Sequence, residues 1–191
     1  MSDAQPKRSK AVLWVMLALT VAPVAGSYLL YYFWPPERTV NYGELLEGRT
    51  LPDVSLTLAD GQLFRSSAWR SKWVLAMFDS GICDEYCAKK LYFMRQVRLA
   101  QGKEMGRVER AFFITDTATL PARTLEVYEG TWLVRGVSDA LISAFPATRE
   151  RRAHIYLIDP LGNVVLRYPQ DPDPRRMIKD LQRLLKYSRI G

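Results

Sequence analysis

From Ala11 to Trp34 the chain carries no charged side chain over 24 residues. A helix apolar on every face belongs inside a large protein or in a membrane, and 191 residues make about one domain. As a helix the run would span roughly 36 Å, against a hydrocarbon core of about 30 Å. Trp14 stands near its start and Tyr31, Tyr32 and Trp34 near its end, where amphipathic rings favour the interface. Pro23 and Gly26 are tolerated in membrane helices. A cleaved signal peptide needs a shorter apolar core, and here the run continues past Ala22, Ala25 and Ser27 through Phe33. Lys7, Arg8 and Lys10 precede it, while Glu37 and Arg38 cancel behind it. The positive-inside rule therefore predicts a cytoplasmic tail over 1–10 and a single span over 11–34. Pro35 and Pro36 open a linker over 35–52, and 53–191 form an exported domain. In a bacterium these are the inner membrane and the periplasm, where thiols are redox-active.

The exported part has enough apolar residues for a core, since 48% of the whole chain is hydrophobic. The net charge of +7 is spread along the chain and mixed with acids, which argues against a nucleic-acid partner. The densest cluster, Arg149, Arg151 and Arg152, is broken by Glu150. Two cysteines exclude a four-cysteine metal or iron–sulfur site. One histidine, His154, excludes metalloprotease patterns that need two. No phosphate-binding loop, dinucleotide fingerprint or GxSxG elbow occurs.

Val54–Leu58 alternates as a strand, and Ala59-Asp60-Gly61 turns it into Gln62–Arg65. Trp73–Phe78 is a continuous apolar run, which predicts a strand buried on both faces. A helix to about Gln101 follows, with Leu91, Met94 and Val97 three apart, and Ala111–Thr115 is a second buried strand. Leu125–Tyr128 and Asp139–Phe145 look helical; Ala153–Ile158 is a strand that turns at Pro160–Asn163 into Val164–Tyr168. The last helix starts at Asp173 with Pro174 in its first position, and Met177, Leu181, Leu184 and Leu185 form its apolar stripe. Alternating strands and helices closed by a hairpin and a helix predict an α/β fold, a mixed sheet flanked by helices.

Cys83 and Cys87 fall between the Trp73–Phe78 strand and the next helix, at the carboxyl end of a strand where α/β folds place their sites. Cysteines one helical turn apart have α-carbons roughly 6 Å apart, within disulfide range. A helix N-terminus favours a thiolate; Lys89 and Lys90 would assist, and Asp84 and Glu85 oppose it. The pair can form a reversible disulfide or hold a soft ion such as Cu(I). A structural bridge is the alternative, but so short a loop adds little stability.

These residues resemble the Sco/SenC proteins, membrane-anchored thioredoxin-fold factors for cytochrome c oxidase assembly. Cys83 and Cys87 match the family's CxxxC, Trp73–Phe78 its preceding strand, and Asp116 the aspartate closing the next strand. Trp132 and Gly136 match a shorter motif, and Tyr156-Leu-Ile-Asp-Pro160-Leu-Gly162 the hairpin. The departures are as informative. Asp84 and Ala88 replace a proline after each cysteine, and Arg151 stands at the position of the copper-binding histidine. The segment between Phe145 and Ala153 is shortened, and the proline that thioredoxins place opposite their cysteines is missing. His154 lies three residues from the expected place, an odd offset that puts it on the other face of an extended strand.

The resemblance implies a thioredoxin-like domain, and dithiol–disulfide exchange through Cys83 and Cys87 is its expected chemistry; Cys83, nearer the helix start and expected to be the more exposed, is the candidate for attack and Cys87 for resolving the mixed disulfide. The resemblance further implies copper held by Cys83 and Cys87 as Cu(I), with His154 as a third candidate ligand. The partner would be a cytochrome c oxidase subunit or another copper carrier. A membrane scaffold without catalysis is the rival.

Overall fold

The computed structural model describes residues 8–33, 41–147, 150–188 and 190. The chain divides into two units, 1–40 and 41–191. The first contains helix α1 (Arg8–Phe33). Within Lys10–Phe33 an 18-residue window reaches a mean hydropathy of 1.9, and the helix is long and apolar enough to cross a membrane. Residues 1–7 of the tail expected over 1–10, the boundary at Trp34 and residues 35–40 of the linker expected over 35–52 lie outside the described residues, as does Arg149.

The second unit is built on one eight-stranded sheet with strands β1 (Glu44–Thr50), β2 (Ser55–Leu58), β3 (Leu63–Arg65), β4 (Trp73–Asp79), β5 (Val108–Ile114), β6 (Trp132–Arg135), β7 (Ile155–Ile158) and β8 (Asn163–Arg167). Their spatial order is β1-β8-β7-β4-β5-β6-β2-β3. β5 is parallel to β4 and to β6, and the other pairings are antiparallel. Helices α2 (Glu85–Leu99), α3 (Ala122–Val127), α4 (Asp139–Ser143) and α5 (Pro174–Tyr187) complete the domain. The mixed sheet flanked by helices is the expected class.

β4 is buried along its whole length because both of its faces are apolar. Trp73, Leu75 and Met77 pack with Leu91, Met94 and Val97 of α2 and Met177, Leu181 and Leu185 of α5. Val74, Ala76 and Phe78 point the other way, onto Trp69, Leu141 and Phe145. Alternation in a strand sends successive side chains to opposite layers, so this one segment anchors both halves of the core. The turn after β7 follows from its residues as well: Asp159 accepts the Leu161 and Asn163 amides at 2.9 and 2.8 Å, and Gly162 has φ +89°, where a side chain would be strained.

Two elements depart from expectation. Part of the stretch taken as linker is β1, an edge strand on β8 with Glu44 opposite Arg167; six of its seven residues are exposed, so no apolar alternation marks it. Just before it the chain is clamped to α5. The buried Asp180 carboxylate accepts the amides of Tyr42 (2.9 and 2.8 Å) and Gly43 (2.9 Å), and the Arg176 guanidinium lies 4.0 Å from the Tyr42 ring centre. β6, between β5 and β2, is the other unexpected strand. Asp173 caps α5 as expected, accepting the Arg175 amide at 2.8 Å.

Candidate functional site

β4 delivers the chain into the turn Asp79-Ser80-Gly81-Ile82, and α2 opens behind it. Cys83 precedes the helix rather than lying on it. Asp84 is the N-cap residue and takes the Cys87 amide at 3.0 Å, an ordinary cap geometry. Cys83 has φ +48°, a left-handed conformation uncommon outside glycine, asparagine and aspartate. This bend brings the two α-carbons to 5.0 Å, and the sulfurs are joined as a disulfide. Cys87 is wholly buried in the layer under α2 and α5, and Cys83 is partly exposed. The bond joins a partly exposed residue to a fully buried one.

The turn is pinned by carboxylates. Asp116, just past β5, accepts the Gly81 amide at 2.9 Å and the Ala118 amide at 3.1 Å. The Ser80 hydroxyl, then the Gly81 amide, hold its carboxyl below the usual range. Gly81 lies against the same loop, and a Cβ there would stand 2.1 Å from the Ala118 carbonyl oxygen.

Behind the turn lies an ionic network that reading the sequence missed. Asp79, whose side chain has no solvent exposure, pairs with Lys90 at 2.8 Å and with Nε of Arg152 at 2.7 Å. The second arm of Arg152 grips Asp84. Lys90 also donates to the Phe78 carbonyl at 3.2 Å and to the Arg152 carbonyl. Burial pushes the Lys90 amine down, and its bond to Asp79 opposes that shift. The hydrogen bond from Arg152 keeps the Asp84 carboxyl low. Lys90 therefore serves Asp79, not a thiolate, and Lys89 pairs with Asp171 at 2.9 Å. The signal in the sequence was a carboxylate closing an otherwise apolar strand, directly before the cysteine motif.

His154 is not brought to the sulfurs as a free ligand. It is 8% exposed, and its Nδ1 lies 2.8 Å from the Tyr168 carbonyl oxygen. A carbonyl only accepts, so Nδ1 carries the proton and Nε2 alone retains a lone pair. Tyr156 and Ile158, which alternate with it, pack in the layer opposite to that of Cys87. Arg151, at the position where the resemblance expects histidine, donates to the Phe145 carbonyl at 2.9 Å. Among the described residues no three histidine, cysteine or carboxylate groups converge as a metal site. Two sulfurs released by reduction suit linear Cu(I); the borderline third ligand that Cu(II) favours beside them is missing from the described arrangement.

The family model for the transmembrane-like, thioredoxin-like C-terminal domain matches residues 73–188. The chain belongs to this family. No curated protein matches the chain in sequence. Among solved structures, this thioredoxin-like domain is similar to copper-bound yeast Sco1, with 17% identity, TM-score 0.60, and coverage of 73% of this chain and 94% of that one. Apo Sco1 of Thermus thermophilus matches with 20% identity, TM-score 0.58, and coverage of 78% and 99%. A putative protein disulfide isomerase of Bacteroides thetaiotaomicron matches with 18% identity, TM-score 0.55, and coverage of 77% and 95%. At these identities the likeness is one of fold.

Proposed function

We propose that this protein is a membrane-anchored thiol–disulfide factor of the Sco type that serves cytochrome c oxidase assembly from the periplasmic face of a bacterial inner membrane. The observation that carries the reading is the asymmetric bond between partly exposed Cys83 and buried Cys87. Of the two cysteines only Cys83 has solvent exposure, which makes it the residue a partner reaches first. In the reduced protein the Cys83 thiolate attacks a partner disulfide, forming a mixed disulfide and releasing one partner thiolate. The Cys87 thiolate then attacks the Cys83 sulfur and releases the second. The partner disulfide becomes a dithiol, two electrons pass to it, and the Cys83–Cys87 bond re-forms. A separate thiol donor restores the reduced state. The partner is a copper-site cysteine pair on an oxidase subunit or on another copper carrier, as the Sco likeness of the fold suggests. Cu(I) is the cargo two such thiolates can hold, with Cys83 and Cys87 as its ligands.

The test is a Cys83→Ser/Cys87→Ser strain scored for oxidase activity. Loss of activity, with normal levels of the variant protein in the membrane, is expected. Unchanged activity would favour a scaffold that docks partners without exchange. A reporter fused to the C-terminus tests the topology: it should be exported and remain with the membrane, and a cytoplasmic or released reporter would overturn that part.

A further inference from the structure

Four opposite charges interlock around the first turn of α2. Arg152 lies on a short 3-10 turn, Arg151–Ala153, directly before β7. Two α2 side chains hold the backbone of that turn: Lys90 donates to the Arg152 carbonyl, and the Tyr86 hydroxyl to the Ala153 carbonyl at 3.0 Å. In return the Arg152 guanidinium reaches Asp79 and Asp84. Asp84 spends its other oxygen on the Cys87 amide. A continuous chain of contacts thus runs from Arg152 through Asp84 to the backbone of Cys87.

The charges matter as much as the geometry. Asp84 sits between the cysteines in sequence, and a lone carboxylate there would repel a thiolate formed on reduction. Asp79 and Asp84 against Lys90 and Arg152 make the cluster neutral. Lys90 is spent on buried Asp79, so Arg152 is the cation that offsets Asp84.

We propose that Arg152 is a positioning residue for the thiol pair: by gripping Asp84 it holds the cap of α2 and cancels the carboxylate beside the sulfurs, which favours the dithiol over the disulfide. This rests on the reading of Cys83 and Cys87 as an exchanging pair. The reaction that reads it is reduction of the Cys83–Cys87 bond by two glutathione thiols, giving the dithiol and one glutathione disulfide.

The experiment equilibrates the full-length protein with glutathione buffers and measures the disulfide fraction. Arg152→Gln should shift the equilibrium toward the disulfide by about two- to fivefold, and Asp84→Asn, which keeps a capping oxygen, should shift it the other way by a similar factor. Arg152→Lys should restore most of the wild-type value. The double variant should return close to wild type, and all shifts should shrink at high salt. Asp84 is exposed, so Asp84→Asn remains informative if Arg152→Gln folds poorly. A purely structural clamp would move both single variants in the same direction; that result, or no shift in either, overturns the proposal while leaving exchange intact. A wild-type bond that neither glutathione nor excess dithiothreitol reduces in the folded protein would instead remove the exchange reading, and this proposal with it.

Discussion

The Nδ1 atom of His154 lies 2.8 Å from the carbonyl oxygen of Tyr168, and this contact spends one of the two ring nitrogens on the backbone, leaving Nε2 with its lone pair. The contact ties the start of β7 to the end of β8, beside the Tyr168 amide that donates to the Ile155 carbonyl.

Burial pushes the His154 imidazole below its ordinary value of 6.5, against the smaller opposing effect of its bond to Tyr168. The unfolded chain therefore binds the proton first on acidification. His154 should cost no stability above about pH 6.5 and an increasing amount as the pH falls from there through its folded-state value. Thermal melts between about pH 5 and 7.5 should show a slope that His154→Gln flattens. Equal slopes in both proteins would mean that the ring protonates freely in the fold.

Copper should distinguish the oxidation states. The reduced protein is expected to bind Cu(I) in a manner dependent on Cys83 and Cys87 and unaffected by His154→Ala, with Cu(II) binding weak. Anaerobic titration of each ion checks this. A tight Cu(II) complex with an intense sulfur-to-copper absorption band, lost in His154→Ala, would restore the histidine as a ligand.

The two thiols of the reduced protein should differ in reactivity. Cys83 is partly exposed and Cys87 fully buried, so alkylation near neutral pH should favour Cys83 by about tenfold or more. Mass spectrometry after brief labelling measures the ratio. Equal slow labelling would show two inert buried thiols.

Gly81 should tolerate no side chain. Its missing Cβ would stand 2.1 Å from a backbone oxygen of Ala118, so Gly81→Ala must push two loops apart. A loss of about 1–3 kcal/mol in denaturant unfolding is expected, typical of overpacking. A variant as stable as wild type would show that the loops part easily.

Much of this architecture was legible in the chain itself. Trp73–Phe78 could only be a strand covered on both faces, and Asp173 with Pro174 announced α5. β1 was hidden because an exposed edge strand needs no apolar alternation, and β6 because four residues are too few to show a period. At the site, the cysteines declared themselves by spacing. Asp79, Lys90 and Arg152 did not, because a charge buried against a distant partner reads in sequence like any solvated one. The separation of 62 in sequence between Lys90 and Arg152 is closed only by the fold.

The clamp on Tyr42 has a practical consequence. Glu44 lies opposite Arg167, Arg167 opposite Tyr156, and Ala76 also pairs with Tyr156, so the chain enters the domain at the end of the sheet that carries the cysteines. α5 then runs back, and its last turn lies beside Trp73 and Pro160 at the opposite end. The polypeptide threads this domain from one pole to the other. A tag, a dye or a solid support joined to the far pole would stand at the opposite end of the sheet from the sulfur pair, whereas a bulky insertion near Tyr42 would lie at the same end as the pair.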